Sequence, residues 1–543
     1  MAVVSLSASR GCCGTVANRK NGARKSTRKN LVPLITRCID LAPSLTDPMP
    51  KLPNAMQSRR LLIVRWVLAL CICQHQLVGA QAQAVRARAF DAAASVSEQG
   101  YEWLAWSTAH IGHRLTGSAQ GRRAEELADS LFRVSGLDTV YTHPFEADAW
   151  ARGSVKLTVG DGAGFAHLAC VALANTPLTS SVAAPLVDAG NGLPEDLARL
   201  GDRAKGAALL VNIGLVAGGE GTKNLHRSEK ASLAMKAGAA SILFVNQVEG
   251  GVLLTGTASI DGALIPIPAA CMATEDGAAL RVRLDKSEPL TARLEMRNTS
   301  ARITARNIVA ELRGAKYPDE VILVGGHLDS WDLATGATDN GLGSFSILDL
   351  ARLMQSMPFR PERTIRFVLF MGEEQGLLGS RALADYYAAT GLLDRVACMI
   401  NLDMSGNPQG FGVGGPGGWR ALIADACDRI RHIDTTAFEG RTSERIWLHS
   451  DHQPFLLKGV PVIYPLSDLG KHLYGCYHSS CDDIHLVEPS AMTNNVRFVG
   501  ALLYELAAAA KLPGHFDREE LRTRLIAEDL EGPLRIGGDW PWE

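Results

Sequence analysis

The sequence predicts an α/β fold, with a central mixed, mostly parallel β-sheet flanked by helices and a smaller inserted domain. Between residues 305 and 512, short segments that are apolar throughout alternate with segments of helical length, a pattern typical of a sheet covered on both faces. From about 150 to 295 the apolar segments are shorter and alternate with glycine-rich turns. This change of texture indicates a separate compact unit that is β-rich or α/β.

The chain has 543 residues, of which 46% are hydrophobic and 21% are charged, so two or more globular units are expected. Its formal net charge of -2 is unevenly distributed, because residues 1–84 contain 12 Lys/Arg and 2 Asp/Glu. The rest of the chain is mildly acidic. That balance gives no reason to expect a nucleic-acid partner.

The basic residues 1–84 are interpreted as a leader. From Met56, a basic segment precedes the apolar stretch Leu61–Cys73, and AQA at residues 80–82 matches an A-x-A cleavage signal. We expect a signal peptide over about 56–84, a natural start at Met56, and a secreted or periplasmic protein. An uncleaved N-terminal anchor is the alternative, although the apolar stretch is short for a stable membrane span.

Individual elements follow from periodicity. AEELADSLFRVSG, which ends at a glycine, is predicted to be a helix before the insert. In the insert, ALLVNIG, ASILFVN and LIPIPAACM are predicted strands, and EKASLAMKAG is a predicted helix. In the main domain, the predicted strands are EVILVGGH, TIRFVLFMG, ACMINL and VPVIYPL, and the predicted helices are GSFSILDLARLMQSM and AMTNNVRFVGALLYELAAAAKL.

The expected division of the chain has five parts, the last of which is a surface tail rich in charge, glycine and tryptophan. These parts are the leader (1–84), the N-terminal part of the main domain (85–150), the insert (151–295), the remainder of the main domain (296–515) and the tail (516–543).

Polar side chains follow three of the predicted strands, at the point where each strand ends. EVILVGG leads into His327 and Asp329, TIRFVLFMG leads into Glu373-Glu374, and ACMINL leads into Asp403. In open α/β sheets, ligands bind at the carboxyl ends of the strands. Carboxylates gathered in one crevice would repel one another unless a cation is bound.

Histidine and carboxylate ligands without cysteine suit zinc or another borderline divalent metal. The carboxylates exceed what one tetrahedral zinc needs, which favours two metal ions that share a bridging carboxylate. The glycines around Asp339 would let the backbone turn tightly enough to aim that residue at the site.

Five ordered segments together resemble a known family. The segments GGHLDSWDLATGATDNGLG, MGEEQGLLGS, NLDMSG, SDHQPF and YHSSCDD are similar to those of the co-catalytic di-zinc exopeptidases, which include bacterial leucyl aminopeptidase and glutamate carboxypeptidase. SWDLATGATDNG points most nearly to carboxypeptidase Q. IGHRLTGS, earlier in the chain, extends the likeness, and the insert resembles the protease-associated domain of that family. The resemblance therefore implies the zinc-exopeptidase fold.

The resemblance also implies roles for residues of this chain. His327 and Glu374 would bind one zinc ion, Asp403 and His478 the other, and Asp339 would bridge both. The remaining implied roles are those of the general base (Glu373), of the group that orients the His327 imidazole (Asp329) and of a group that helps hold the tetrahedral intermediate (Tyr477). Asp451 in SDHQPF matches a motif near the site, without an assigned role.

These residues predict a secreted zinc-dependent exopeptidase that hydrolyses dipeptides or short peptides, with a metal-activated water and a glutamate base. Two alternatives stay open: an acyltransferase resembling glutaminyl cyclase, and an inactive binding protein of the same fold. A serine hydrolase is disfavoured because the chain has no G-x-S-x-G motif. The expected partner is a peptide, and the family makes a homodimer plausible.

Six cysteines follow the leader, and two of them, Cys476 and Cys481, are close enough in sequence to form a small disulfide in an oxidising compartment. The other four are expected to be single buried thiols. Asp332, Asp482 and Asp483 are expected to be capping or solvated residues and not metal ligands.

Overall fold

The computed structural model describes residues 83–216, 222–467 and 469–542. The leader, with almost all of the predicted signal peptide, lies outside these residues. None of the described helices is both long enough and apolar enough to cross a membrane.

The described residues contain fourteen strands, labelled in chain order. They are β1 (Thr139–Asp161), β2 (Gly164–Leu168), β3 (Cys170–Ala172), β4 (Thr179–Asp188), β5 (Ala208–Asn212), β6 (Ser241–Val245), β7 (Ala269–Met272), β8 (Thr291–Leu312), β9 (Tyr317–His327), β10 (Arg363–Phe370), β11 (Val396–Asn401), β12 (Pro408–Gly414), β13 (Arg441–Ser443) and β14 (Val462–Ser467).

The α-helices of the same residues are labelled likewise. They are α1 (residues 83–94), α2 (Gln99–His110), α3 (Ala119–Val134), α4 (Pro194–Leu200), α5 (Arg227–Lys236), α6 (Thr274–Asp285), α7 (Leu342–Ser356), α8 (Leu378–Thr390), α9 (Trp419–Arg431), α10 (Gln453–Leu456), α11 (Gly470–Cys476), α12 (Pro489–Ala508), α13 (Arg518–Ala527) and α14 (Glu531–Ile536).

The centre of the main sheet is parallel. β9 pairs in parallel with β10 on one side and with β11 on the other, and β11 pairs in parallel with β14. The outer strands β8 and β12 join this centre in antiparallel fashion. The predicted mixed, mostly parallel sheet is therefore confirmed, and each segment predicted as a strand or helix of the main domain forms that element.

Both faces of the sheet are covered, as the uniformly apolar strands require. In β9, Ile322 and Val324 pack in a core with α7 and α12, whereas Leu323 between them packs in a second core with α8 and α13. Successive side chains of a strand point to opposite faces, so a strand between two helical layers needs apolar residues throughout.

A long two-stranded ribbon joins the main sheet to the insert. β1 and β8 pair antiparallel from Thr139↔Glu311 to Gly160↔Thr291. One end of β8 pairs with β10 of the main sheet, and the other end pairs with β4 of the insert. The predicted domain boundaries at about 150 and 295 lie within these two strands and stay a prediction.

The insert is an α/β unit of its own. β4, β5, β6 and β7 form a parallel array in that order, and β3 closes it antiparallel to β7. The predicted strands and the predicted helix of this segment are observed as β5, β6, β7 and α5.

The C-terminal residues correct one expectation. Instead of a surface tail, they form α13 and α14, and Leu521, Leu525 and Leu534 are buried against the main domain. Leucines four residues apart lie on one face of a helix, and here that face completes the core. The abundance of charge, glycine and tryptophan concealed this short apolar stripe.

Asn307 in β8 fixes the segment that follows β10. Its fully buried side chain accepts a hydrogen bond from the Met371 backbone N–H (3.1 Å) and donates one to the Gly379 carbonyl (2.8 Å). Glu373 and Glu374 lie between these two anchor points. The side-chain amide therefore positions two of the predicted site residues without contacting either.

We predict that Asn307→Leu lowers the free energy of unfolding by about 2–4 kcal/mol, because it leaves two buried backbone groups without partners. Urea unfolding followed by circular dichroism measures the change. Asn224→Leu, at an exposed asparagine, is the control and should change stability by less than about 1 kcal/mol. Equal effects of the two substitutions would show that Asn307 does not anchor this segment.

Candidate metal centre

The candidate site lies where three neighbouring parallel strands end. His327 is the last residue of β9, Asp403 lies just after β11, and Glu373 and Glu374 lie just after β10. The β11–β9–β10 order places these ends side by side. The convergence expected from the strand ends is therefore observed.

The Asp339 carboxylate lies between two imidazoles. Its Oδ1 is 3.2 Å from His327 Nε2, and its Oδ2 is 2.9 Å from His478 Nε2. His327 Nε2 is also 3.3 Å from Asp403 Oδ1, and His478 Nε2 is 3.0 Å from Glu374 Oε2. All five residues predicted as metal ligands thus form one cluster.

These direct contacts differ from the pairing of ligands that the resemblance implied, and that pairing stays a prediction. His327 was paired with Glu374, and His478 with Asp403; the structure pairs His327 with Asp403 and His478 with Glu374. The reason is the order of the strands and loops around the site. The central position of Asp339 is the same in both pairings.

Two compact groups of these residues, the second of which also includes Glu373, have the spacing needed to hold a metal ion. One consists of His327, Asp339 and Glu374, and the other of His327, Glu373 and Asp403, each with its ligand atoms within 4.8 Å of one another. Four of the five predicted ligands are buried, and Asp403 is half-buried.

Burial and mutual repulsion perturb the charges of the cluster. Burial raises the pKa of Glu374 well above its ordinary value, and the charge of Asp339 raises it further. Burial together with the charge of Arg227 lowers the pKa of His478 to about 4. Burial opposes protonation of His327, but the carboxylates of Glu373 and Asp403 overcome it and raise its pKa. A cation in the cluster would relieve the repulsion between the carboxylates.

The two adjacent glutamates face different groups. Glu374 contacts His478, whereas the Glu373 carboxylate lies within 4.8 Å of His327 and Asp403 ligand atoms. The two glutamates lie in a turn that begins at Glu373, whose carbonyl accepts the Gly376 N–H at 3.0 Å. Burial raises the pKa of Glu373 well above its ordinary value.

Asp329 supports His327 mainly through its backbone. His327 Nδ1 lies 3.0 Å from the Asp329 carbonyl oxygen and 3.7 Å from its carboxylate. That carboxylate accepts hydrogen bonds from Thr116 Oγ1 at 3.1 Å and from the Glu373 backbone N–H at 3.3 Å. Asp329 therefore joins the β9 loop to the β10 loop and to the IGHRLTGS segment.

Two buried charges hold the loop that carries Asp339. The Asp482 carboxylate accepts the backbone N–H groups of Thr338 and Asp339, at 2.8 and 3.0 Å. The Arg114 guanidinium donates to the carbonyls of Leu328, Thr335 and Gly336, at 2.6–2.8 Å. Asp482 thus caps the loop, which is one of the two roles expected for it.

The sequence alone did not predict that Arg114 and Asp482 hold the loop that carries Asp339. Arg114 belongs to IGHRLTGS and Asp482 belongs to YHSSCDD, and both segments are part of the family resemblance. Their partners, however, are backbone groups far along the chain, which no residue pattern identifies.

Ser450 and Asp451 connect SDHQPF to the cluster. Ser450 Oγ donates to Asp403 Oδ2 at 2.6 Å, and Asn401 Nδ2 donates to Ser450 Oγ at 2.8 Å. Asp451 is fully buried, and that burial raises its pKa to about 8. Ser450 was not among the predicted site residues, although SDHQPF, the segment that contains it, was part of the family resemblance.

Three contacts fix the position of the loop that carries His478. Cys476 and Cys481 are joined by a disulfide, with their Cα atoms 5.2 Å apart. The Tyr477 ring stacks on the His478 imidazole at 3.7 Å, and the Thr255 N–H of the insert donates to the His478 carbonyl at 2.9 Å. The possible disulfide is therefore present, and Tyr477 lies at the site.

The other cysteines match their expectation except for one. Cys271, Cys398 and Cys427 are buried thiols, while Cys170 is only partly buried. Cys170 lies on β3, which pairs on one side only among the described strands and so forms the edge of the insert sheet.

Two of the larger cavities among the described residues flank the cluster. The first has an empty volume of about 700 Å³ and is bounded by Glu373, Glu374 and His478, by the start of α5 and by residues 533–539. The second, of about 1270 Å³, is bounded by Asp339, Glu373, Asp403 and His478. Tyr477 lines both. A bound molecule can thus extend to either side of the cluster.

Comparison with known proteins agrees with this geometry. Residues 307–503 match Peptidase family M28, and residues 182–280 match the PA domain. Carboxypeptidase Q of Bos taurus is 28% identical over 404 residues, which cover 73% of this chain and 82% of that protein. Aminopeptidase YwaD of Bacillus subtilis (strain 168) is 29% identical over 459 residues, which cover 80% of this chain and 90% of that protein.

A solved structure has the same fold. The peptidase M28 precursor from Shewanella amazonensis SB2B aligns with a TM-score of 0.69 at 23% identity, over 81% of this chain and 100% of that chain. The family match spans all five candidate ligands, and the PA match lies in the insert. The chain is therefore a metallo-exopeptidase that belongs to Peptidase family M28 and carries a PA domain.

Proposed function

We propose that this chain is an exported zinc-dependent exopeptidase that hydrolyses dipeptides or short peptides, with Glu373 as the general base. The observation that carries the proposal is the Asp339 carboxylate, which contacts the imidazoles of His327 and His478 from its two oxygens. A single carboxylate between two histidines is the arrangement that a bridging ligand of two metal ions needs.

The donor set fits zinc. Imidazole nitrogens and carboxylate oxygens are ordinary zinc ligands, and two ligands of one tetrahedral zinc lie roughly 3–3.5 Å apart. The nitrogen–oxygen distances in the cluster are 2.9–3.3 Å. The buried Oε1 of Glu374 has no hydrogen-bond partner among the described residues, so it is available to a metal ion.

The contacts favour two metal positions. His327 and Asp403 would hold one zinc ion, His478 and Glu374 would hold the other, and Asp339 would contribute one oxygen to each. The backbone carbonyl of Asp329 keeps His327 oriented with Nε2 toward the cluster, and Ser450 orients Asp403.

When bound, zinc supplies Lewis-acid activation of the peptide carbonyl and lowers the pKa of water toward about 7. The residues of the chain would transfer the proton and hold the substrate. Glu373, whose pKa is raised by burial, accepts the proton of the attacking water and donates it to the leaving amine. Tyr477, which lines both cavities beside His478, would donate a hydrogen bond to the reacting peptide group.

Two further observations support the finer parts of the proposal. The first cavity is bounded by the PA domain and by the C-terminal residues 533–539, which favours short substrates. The Cys476–Cys481 disulfide flanks His478, and disulfides persist in oxidising compartments outside the cytosol. A homodimer stays a prediction.

We predict that chelation abolishes peptide hydrolysis and that added zinc restores it. Asp339→Ala should lower the zinc content at both positions and remove most activity, because both positions share this ligand. Elemental analysis of the purified protein, beside hydrolysis of a dipeptide, measures both effects. Asp483→Asn, in a nearby carboxylate that caps Ile484, is the control and should retain zinc. Full activity in a metal-free protein would contradict the proposal.

We predict that substitution of Glu373 by glutamine and substitution of Glu374 by glutamine have different effects on zinc content and on kcat. Glu373→Gln should keep its zinc and lose on the order of 10²–10⁴ in kcat, because the amide cannot accept the proton of water. Glu374→Gln should lower zinc occupancy, because a neutral ligand replaces an anionic one.

Zinc content and kcat measured side by side distinguish these two roles. Loss of zinc in Glu373→Gln, with retention in Glu374→Gln, would reverse the assignment. Unchanged turnover in both variants would show that neither glutamate takes part in the reaction and that the active site lies in another part of the protein.

A further inference from the structure

A wall separates the first cavity from a third cavity. The third cavity has an empty volume of about 960 Å³. Glu373 and Glu374 line the first cavity and not the third, so only the first contains the candidate reaction centre. Five residues that line both cavities, here called the partition, are Ser259, Ile260, Arg381, Gly537 and Asp539.

Three distant parts of the chain build the partition. Ser259 and Ile260 belong to the insert, and Arg381 lies in α8. Gly537 and Asp539 follow α14, the last helix of the described residues. A Cβ atom at Gly537 would lie 3.8 Å from Cγ2 of Ile260, which is van der Waals contact distance. The C-terminal segment and the insert therefore meet across the partition.

Asp539 attaches the partition to the main domain. Its carboxylate accepts two hydrogen bonds from the Arg381 guanidinium, at 2.6 and 2.7 Å, and one from Gln453 Nε2 at 2.8 Å. Arg381 also donates from Nε to the Gly376 carbonyl at 3.2 Å, in the turn that begins at Glu373. The C-terminal segment is thus connected to the turn that carries the proposed general base.

Apolar packing fixes the residues on both sides of Asp539. Leu534 before it and Trp542 after it are buried in the second core of the main domain. The Trp540 and Trp542 rings lie 4.6 Å apart. The match to Peptidase family M28 ends at residue 503, so that match gives this segment no role. A segment that is packed into a core on both sides of a cavity wall resists displacement by a bound molecule.

We propose that the partition sets the greatest length of the peptide that this enzyme hydrolyses. A peptide that extends from the metal cluster into the first cavity ends at the partition, so dipeptides and tripeptides fit and longer peptides do not. A longer peptide could continue into the third cavity only by displacing Asp539 from Arg381 and Gln453, and a bidentate charge pair is unfavourable to break. The inference rests on the proposed function and names the segment that selects the substrate class within it.

The test measures kcat/KM for alanine peptides of two to five residues. For the wild-type enzyme, the value for the pentapeptide should be about 10- to 100-fold lower than that for the dipeptide, the range for a steric misfit in a binding pocket. Asp539→Ala should raise the pentapeptide value about 10-fold, because it releases the segment from Arg381 and Gln453. The same substitution should change the dipeptide value little.

Three further variants complete the design. Arg381→Ala removes the partner of Asp539, so it should change the length profile in the same direction. Gly537→Phe should lower the tripeptide value more than the dipeptide value, because the φ of -72° at Gly537 accepts a side chain and that side chain would enter the partition. Glu531→Ala, which removes the partner of Arg535 in α14 and lines neither cavity, is the control and should leave the profile unchanged.

Equal kcat/KM for all peptide lengths in the wild-type enzyme would overturn the inference, even if every variant failed to fold. A profile that Asp539→Ala leaves unchanged, or an equal change on dipeptide and pentapeptide, would also overturn it, because the segment would then not select by length. Circular dichroism and zinc content verify that each variant is folded and loaded. These results would leave the proposed function intact, whereas absence of zinc-dependent hydrolysis of every peptide would defeat that function instead.

Discussion

The structure depends on one buried carboxylate, that of Asp339, which contacts two imidazoles brought together from distant segments of the chain. The loop that carries it has little apolar surface to stabilise it, and fixing its backbone costs conformational entropy. The chain offsets that cost with polar anchors: Asp482 caps the loop from one side and Arg114 holds the preceding carbonyls from the other. The sheet supplies the rigid frame, because three of its parallel strands end at the cluster.

The PA domain is part of the site and not an independent appendage. The β1–β8 ribbon extends the main sheet directly into the insert, so that the two share a strand. From that position the Thr255–Gly256 segment reaches the His478 loop and makes room for Arg227. The disulfide that flanks His478 stabilises the same contact region from the main domain. The insert therefore contributes part of the wall of the first cavity, while the candidate metal ligands come from the main domain.

The residue types of the site could be predicted from the sequence, because apolar strands that end in histidine or acid are a local pattern. Three other features of the site could not be predicted from the sequence. The distribution of ligands between His327 and His478 depends on which loops meet in space, and the observed contacts differ from the predicted pairing. Arg114 and Asp482 act on distant backbone groups, and Arg227, which lines the first cavity, comes to the site from the insert. The C-terminal helices were missed because three leucines contribute most of their buried face.

The proposed mechanism requires that Asp339 bridge two zinc ions, one beside His327 and Asp403 and one beside His478 and Glu374. Anomalous diffraction at the zinc edge, from crystals grown with zinc, tests this requirement most directly. We expect two anomalous peaks about 3.5–4 Å apart, with one Asp339 oxygen directed at each. A single peak, or two peaks that do not share Asp339, would contradict the bridging role.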